Sequence, residues 1–292
     1  MSHDAVSGRV LVLGSLNLDV VVRCARRPEP GETVLGEDVD RRAGGKGANQ
    51  AAAAAAAGAR TGLLGRVGSD AEGRLLRAQL ERDGVSLEWV SDSGDAPTGI
   101  ALITVDGQGE NSIVVVPGAN AQLGVDDVDR ATNAIENADV LLMQLEVPLE
   151  PVAHAAHLAP GTARVILNAS PVRPLPDALL ARADPLVVNR VEAAVLLGKG
   201  EAELEESALR LLTLGVRSAV VTAGAHGAVY ADASRRLTLR PPTVAVVDST
   251  GAGDAFVGAL AAVLARDAPI EQALEVAVAA GARAVGHRGA RP

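Results

Sequence analysis

The segment Val246-Val247-Asp248-Ser249-Thr250-Gly251-Ala252-Gly253-Asp254-Ala255-Phe256 carries the residues best suited to chemistry. Its valines read as a strand, Gly251-Ala252-Gly253 as a small-residue turn, and Ala255 to Arg266 as an apolar helix. Small residues let the backbone approach a ligand closely, and the first amides of a helix have no partner within it. Such a helix start is an anion site. Asp254 would stand beside that anion, where a carboxylate can take a proton from an attacking hydroxyl. An Asp in this position also caps helices, so the turn alone leaves both readings open.

A second glycine-rich segment, Ala43-Gly44-Gly45-Lys46-Gly47-Ala48-Asn49-Gln50, opens another helix. It is not a Walker A loop, since neither Ser nor Thr follows Lys46 and the glycine spacing differs. Lys46 and Asn49 lie three residues apart, which puts both on one face of the helix start. Lysine is rare here: Lys46 and Lys199 are the only two, against a large number of arginines. The helix that follows is so rich in alanine that it is expected to be buried, which favours a ligand role for Lys46 over a solvated one.

Polar residues recur after apolar runs. Asn17 and Asp19 follow the first run, Glu146 follows Val140 to Leu145, and Asn189 and Glu192 follow Leu186-Val187-Val188. Each alone reads as a turn or cap residue, but together they line one edge of a sheet. The five histidines form no metal-like cluster, and the Gly-x-Gly-x-x-Gly turn of a nicotinamide enzyme is missing after the first strand.

The elements that position these residues alternate. Arg9 to Leu16, Thr61 to Val67, Asp139 to Leu145, Arg164 to Asn168, Pro185 to Asn189 and Ser218 to Thr222 read as buried strands. Lys46 to Ala57, Ala71 to Asp83, Leu149 to Leu158 and Glu201 to Leu214 read as helices between them. The alternation predicts an α/β fold with a mainly parallel sheet covered on both faces. Val20 to Arg42 and Thr98 to Pro117 break the rhythm and read as short strands of a small separate β layer. With 292 residues and no linker or repeat, the expectation is one domain, 1–292, with a β appendage.

Composition narrows the partners. A net charge of −9, with Trp89, Tyr230 and Phe256 the only aromatics, argues against nucleic acid. Cys24 is the single cysteine, so an intramolecular disulfide and cysteine-rich zinc sites are excluded. No run has the length and apolarity of a membrane span, and the first residues have no basic region before an apolar core. The expectation is a cytoplasmic protein that meets neither membrane nor nucleic acid.

The two glycine motifs, with Gly14-Ser15-Leu16-Asn17-Leu18-Asp19, Pro30-Gly31-Glu32-Thr33-Val34 and Met143-Gln144-Leu145-Glu146, resemble the ribokinase-like (PfkB) family of carbohydrate kinases. The resemblance implies a three-layer α/β/α sandwich with a small β lid at about 20–42 and 98–117. It also implies ATP-dependent phosphorylation of the primary 5-hydroxyl of D-ribose, with another sugar or a nucleoside as the alternative. A non-catalytic sugar- or nucleotide-binding protein is the reading from another class, and the intact Asp254 speaks against it. By the resemblance Asp254 is the base, and Gly251, Ala252 and Gly253 form the anion hole. Asn17, Asp19, Gly45, Lys46, Asn49 and Glu146 hold the sugar. Asn189 acts near the nucleotide phosphates and Glu192 indirectly on Mg²⁺. Thr222, Gly224, Gly227 and Gly253 bind ATP. A K⁺ site is implied at Asp248 and Thr250, with backbone oxygens near Ala284, Arg288 and Gly289. The lid implies a homodimer.

Overall fold

The computed structural model describes residues 8–198, 200, 202–286 and 289. From the N-terminus run β1 (Arg9–Leu13), β2 (Asn17–Cys24), β3 (Gly36–Gly44), α1 (Lys46–Ala56), β4 (Arg60–Gly68), α2 (Ala71–Arg82) and β5 (Ser86–Ser93). They are followed by β6 (Gly99–Val105), β7 (Asn111–Val116), α3 (Val125–Arg130), α4 (Thr132–Glu136), β8 (Val140–Met143), α5 (Leu149–Leu158) and β9 (Arg164–Asn168). Next come α6 (Asp177–Leu180), β10 (Ala183–Asn189), α7 (Arg190–Leu196), α8 (Leu204–Leu212) and β11 (Ser218–Thr222). The described chain closes with β12 (Ala228–Asp232), β13 (Arg236–Leu239), α9 (Ala252–Leu264) and α10 (Ile270–Ala284).

Strand order in the large sheet is β13-β12-β11-β10-β9-β8-β1-β4-β5. Every pairing from β11 to β5 is parallel, and only the β11–β12–β13 edge turns antiparallel. Strands buried on both faces have continuous apolar sequences, and here alternate residues feed two cores. Val10 and Val12 of β1, Val140 and Leu142 of β8, and Ile166 of β9 face one core, which α1, α2, α9 and α10 cover. Leu11, Leu13, Leu141, Met143, Val165 and Leu167 face the other, which α3 to α8 cover. The result is the expected α/β/α sandwich.

The two irregular segments form a second, four-stranded sheet of order β3-β2-β6-β7. Its middle pair, β2 and β6, runs parallel, and its outer pairs are antiparallel. The small β layer is therefore present, and its strands begin directly at the sugar-motif residues: Asn17 and Asp19 belong to β2 rather than to a turn after β1.

One expectation fails. The Val246-Val247 run is not a strand; residues 240–246 have no regular secondary structure, and Val244, Val246 and Val247 are 40%, 68% and 57% exposed. Valine-rich sequence signals burial against a pleated surface, but here the apolar side chains wall two cavities instead. The helix expected from Ala255 also starts earlier, at Ala252, and the helix expected over 201–214 is shorter, Leu204–Leu212.

Candidate active site

β3 delivers the chain to Gly45, whose φ of 86° turns it into α1 while its backbone lies against Asn17 and Ser15. The start of α1 is held by Glu146, in the turn after β8. Glu146 Oε2 accepts from the Lys46 amide at 3.0 Å and from the Ser15 hydroxyl at 2.5 Å. A carboxylate at a helix N-terminus satisfies amides that the helix cannot, and it complements the dipole. Helix α1 is buried through Gly47, Ala48, Asn49, Gln50, Ala51, Ala52 and Ala54, as its alanines foretold.

Asp254 lies in the first turn of α9, beyond the N-cap Gly251, and is 9% exposed. Its Oδ2 accepts from Asn49 Nδ2 at 3.0 Å and its Oδ1 from Gln50 Nε2 at 2.9 Å. Burial pushes the carboxyl above the ordinary aspartate range; the Lys46 ammonium and the two amide donors oppose that rise. Burial likewise depresses Lys46, but the charges of Asp254, Glu146 and Glu192 outweigh it and the ammonium ends above its ordinary value. A positive charge and a desolvated carboxylate thus face each other at the junction of α1 and α9.

Asn17 is 3% exposed, and its Oδ1 accepts from Asn120 Nδ2 at 2.8 Å. Asn120 also bonds both backbone groups of Leu16, so it ties the entry of β2 to the segment after β7. Asp19 lines a cavity of about 710 Å³ between the second sheet and residues 246–250, together with Arg23, Arg42, Ile103, Asp248, Thr250 and Gly289. A second cavity, about 420 Å³, is walled by Thr222, Gly224, Gly227, Pro241, Val244, Phe256, Val278 and Val285, with Ala252 and Gly253 on its floor. Both cavities share Val246 and Ser249, so the loop leading into α9 divides them.

Asp248 anchors that loop: Oδ1 accepts from the Thr250 amide and Oδ2 from the Gly289 amide, each at 2.9 Å. Burial raises its carboxyl, but these donors and the charge of Arg42 hold it below the usual range. The main-chain oxygen of Val285, next to Ala284 at the end of α10, accepts from the Val247 amide at 2.8 Å and from the Asp248 amide at 3.2 Å. Arg288 lies outside the described residues.

The structure thus unites Lys46, Asn49, Glu146 and Asp254, groups Asp248, Thr250 and Gly289, and sets Thr222, Gly224, Gly227 and Gly253 around one cavity. Asn17, Gly45, Lys46, Asn49, Glu146 and Asp254 line neither cavity wall, and neither do Asn189 and Glu192, although the charge of Glu192 reaches Lys46. The latter two form a reciprocal cap on α7, Asn189 Oδ1 accepting from the Glu192 amide at 2.9 Å and Glu192 Oε2 from the Asn189 amide at 2.8 Å. The Ala252 amide, expected in the anion hole, donates to Ser249 O at 3.3 Å. Sequence reasoning missed Asn120, Asn168 and Gln144 as partners of the site, and quoted Gln50 without giving it a role.

A parallel sheet with a buried carboxylate at a glycine-capped helix start, whose leading loop divides two cavities, fits a phosphoryl-transfer enzyme of the α/β class. The sequence matches the pfkB family carbohydrate kinases over residues 7–292. The chain is 37% identical to the ribokinase of Schizosaccharomyces pombe, over 96% of this chain and 93% of that one. It is also 37% identical to the bifunctional ribokinase/ribose-5-phosphate isomerase A of Fructilactobacillus sanfranciscensis, covering 89% of this chain but only 49% of that protein, about half its length. The structure of Arabidopsis thaliana ribokinase complexed with ribose and ATP superposes with a TM-score of 0.88 at 32% identity, covering 97% of this chain and 94% of that one. The chain belongs to the pfkB family of carbohydrate kinases. Among the described residues, no helix is long and apolar enough to cross a membrane.

Proposed function

We propose that this kinase transfers the γ-phosphoryl group of ATP to the primary 5-hydroxyl of D-ribose, giving D-ribose 5-phosphate and ADP. The observation that carries the reading is Asp254: a buried carboxylate with raised proton affinity, oriented by Asn49 and Gln50, in the first turn of the helix whose leading loop divides two cavities.

The smaller cavity suits a nucleotide, because its apolar walls of Val244, Phe256, Val278 and Val285 can sandwich a base, and Gly224 and Gly227 bring backbone close. The larger one suits a polyhydroxylated ligand, since Asp19 and its arginines offer acceptors and donors to hydroxyls that lose water on binding. Asn17, Gly45, Lys46, Asn49 and Glu146 complete the sugar side. Near-absence of aromatic side chains favours a sugar over a nucleoside as acceptor.

In the reaction Asp254 takes the proton of the 5-hydroxyl as its oxygen attacks the γ-phosphorus and ADP leaves. First-turn amides of α9, at Gly253 and Asp254, face the charge that builds on the transferred group, and Lys46 adds a cation. A Mg²⁺ ion would be held mainly by phosphate oxygens and water, with Glu192 acting at a distance. Oxygens of Asp248, Thr250 and Gly289, which line one cavity together, are hard donors of the kind that suit K⁺, and the ion would stiffen the loop beneath the anion hole. The second sheet would serve as a lid that excludes water, and as a homodimer surface.

The test is a coupled assay of ADP release with Mg-ATP and K⁺ across ribose, deoxyribose, fructose, adenosine and no sugar. Ribose-dependent release with the highest kcat/KM is the expected result. Preference for another sugar would change the substrate and keep the mechanism, and sugar-independent release alone would overturn both.

A further inference from the structure

Behind Asp254 lies a chain of buried amides that the reaction itself does not require. Gln50 is fully buried, and both hydrogens of its Nε2 are engaged, one with Asp254 Oδ1 at 2.9 Å and one with Asn168 Oδ1 at 2.9 Å. Its Oε1 accepts from Gln144 Nε2 at 2.7 Å. Asn168, the last residue of β9, donates through Nδ2 to the main-chain oxygen of Val187 at 3.1 Å. Gln144 is fully buried as well, and its Oε1 has no hydrogen-bond partner.

The direction of every bond in this chain is forced. A main-chain carbonyl can only accept, so Asn168 must turn its NH₂ to Val187 and its oxygen to Gln50. Gln50 must then present its NH₂ to Asn168 and to Asp254. Reversed, its oxygen would meet the Asp254 carboxylate and the Asn168 oxygen, and its NH₂ would meet that of Gln144. A buried unpartnered acceptor such as Gln144 Oε1 destabilises the fold, since it gives up water for nothing. An apolar residue of similar size would avoid that cost, so a polar side chain here points to what its other end does. None of the three amides titrates near neutrality, so the chain orients and does not conduct protons.

We propose that Gln50, Asn168 and Gln144 are positioning residues that lock the carboxylate of Asp254 at one rotation and tie it to the ends of β8, β9 and β10. The inference rests on Asp254 being the base of the proposed reaction. Lys46, from α1, and Glu146, from the turn after β8, are the charged groups that act on this carboxylate, and neither belongs to the chain. With Gln50 gone, Asp254 loses one of two donors to its charged form, while Asn49 still holds Oδ2.

The experiment compares Gln50→Met, Gln144→Met and Asp254→Asn as full-length proteins, with circular dichroism to confirm the fold. Both Met variants keep side-chain length and remove the amide. Gln50→Met is expected to lower kcat about tenfold to a hundredfold, to leave the KM values for sugar and ATP within about threefold, and to move the acid limb of the kcat–pH profile upward. Gln144→Met, which does not touch Asp254, is expected to move the same limb in the same direction by less, and it carries the test if Gln50→Met does not fold. Folded Met variants with an unshifted limb, beside an inactive Asp254→Asn, overturn the positioning role and leave the base standing. A near-normal rate in Asp254→Asn overturns the base assignment and the positioning role with it.

Discussion

Asp254 combines two demands that conflict. The reaction needs a carboxylate that accepts a proton, whereas burial favours the protonated acid and raises its proton affinity. Lys46, Asn49 and Gln50 limit the rise without removing it. For catalysis this means activity is lost as pH falls through the raised folded value. For stability the consequence has the opposite slope. A carboxyl with a raised folded value stabilises the fold below its unfolded value of about 3.9, and that contribution disappears as pH rises through the folded one. Replacing Asp254 by Asn removes the charge but keeps the shape. We expect Asp254→Asn to lower kcat by about 10²- to 10⁴-fold, with sugar affinity by calorimetry little changed. Asn sets its own NH₂ against the Asn49 or Gln50 donor, so stability is read from the trend and not the offset. Relative to the native protein, the variant's Tm is expected to fall as pH drops towards 4, as thermal scans across pH would read. An unaltered kcat would remove Asp254 as base, and a relative Tm that rose in acid would contradict its raised proton affinity.

Two helices bring the site together, and their contact depends on one glycine. A Cβ on Gly258 of α9 would meet Gln50 O at 2.5 Å, Ala53 Cβ at 2.6 Å and Ala54 N at 2.9 Å, all on α1. These are backbone and short side-chain atoms that cannot swing aside, so Gly258→Ala must separate the helices. Because Asn49 and Gln50 ride on α1 and Asp254 on α9, the separation loosens the carboxylate as well as the core. The expected cost is about 1–3 kcal/mol by urea denaturation, with a lower kcat and a near-normal KM for ATP; unchanged kcat would uncouple the helix contact from the site. This coupling explains what could be read in advance. Leu149–Leu158 is legible as a helix because its burial follows a local period, and Ser218–Thr222 as a strand because it is a short, continuously buried run. Alanine content likewise announced that α1 is buried, but not that α9 is its partner, since nothing local records a contact over 200 residues away in sequence. Asn189 and Glu192 show a related ambiguity: their reciprocal cap on α7 could not be told from a ligand pair in sequence, and the two roles do not exclude each other. Gln50 and Gln144 stand within quoted motifs and Asn168 ends a strand, yet none of the three shows its role locally, because an amide's role lies in the direction of its bonds. Val246 and Val247 read as a strand because cavity walls and strand cores call for the same side chains.

For the molecule as a whole, the second sheet poses a question that its two faces answer differently. Asp19, Val21, Arg23, Ile103 and Ile113 line the larger cavity. Strand pairing puts Val20, Leu102 and Val114 side by side on the opposite face, with Val22 against Val39 and Ile100 against Val116. On that outer face Val39, Leu102, Val114 and Val116 are 60%, 50%, 62% and 49% exposed. Every residue of β7 is exposed, and β7 is an edge strand. A flat apolar face ending in a bare edge invites association, which native proteins otherwise block with charge. Pairing two such faces about a two-fold axis would cover both edges in a closed dimer. It would also stiffen the strands that wall the sugar cavity, which links assembly to affinity. A Leu102→Glu, Val114→Lys double variant leaves the cavity face untouched. Sedimentation is expected to find the native protein dimeric and the variant monomeric, with the KM for sugar raised several-fold and that for ATP little changed. A native monomer would dismiss the pairing, and a monomeric variant with native KM would show that the cavity wall needs no partner.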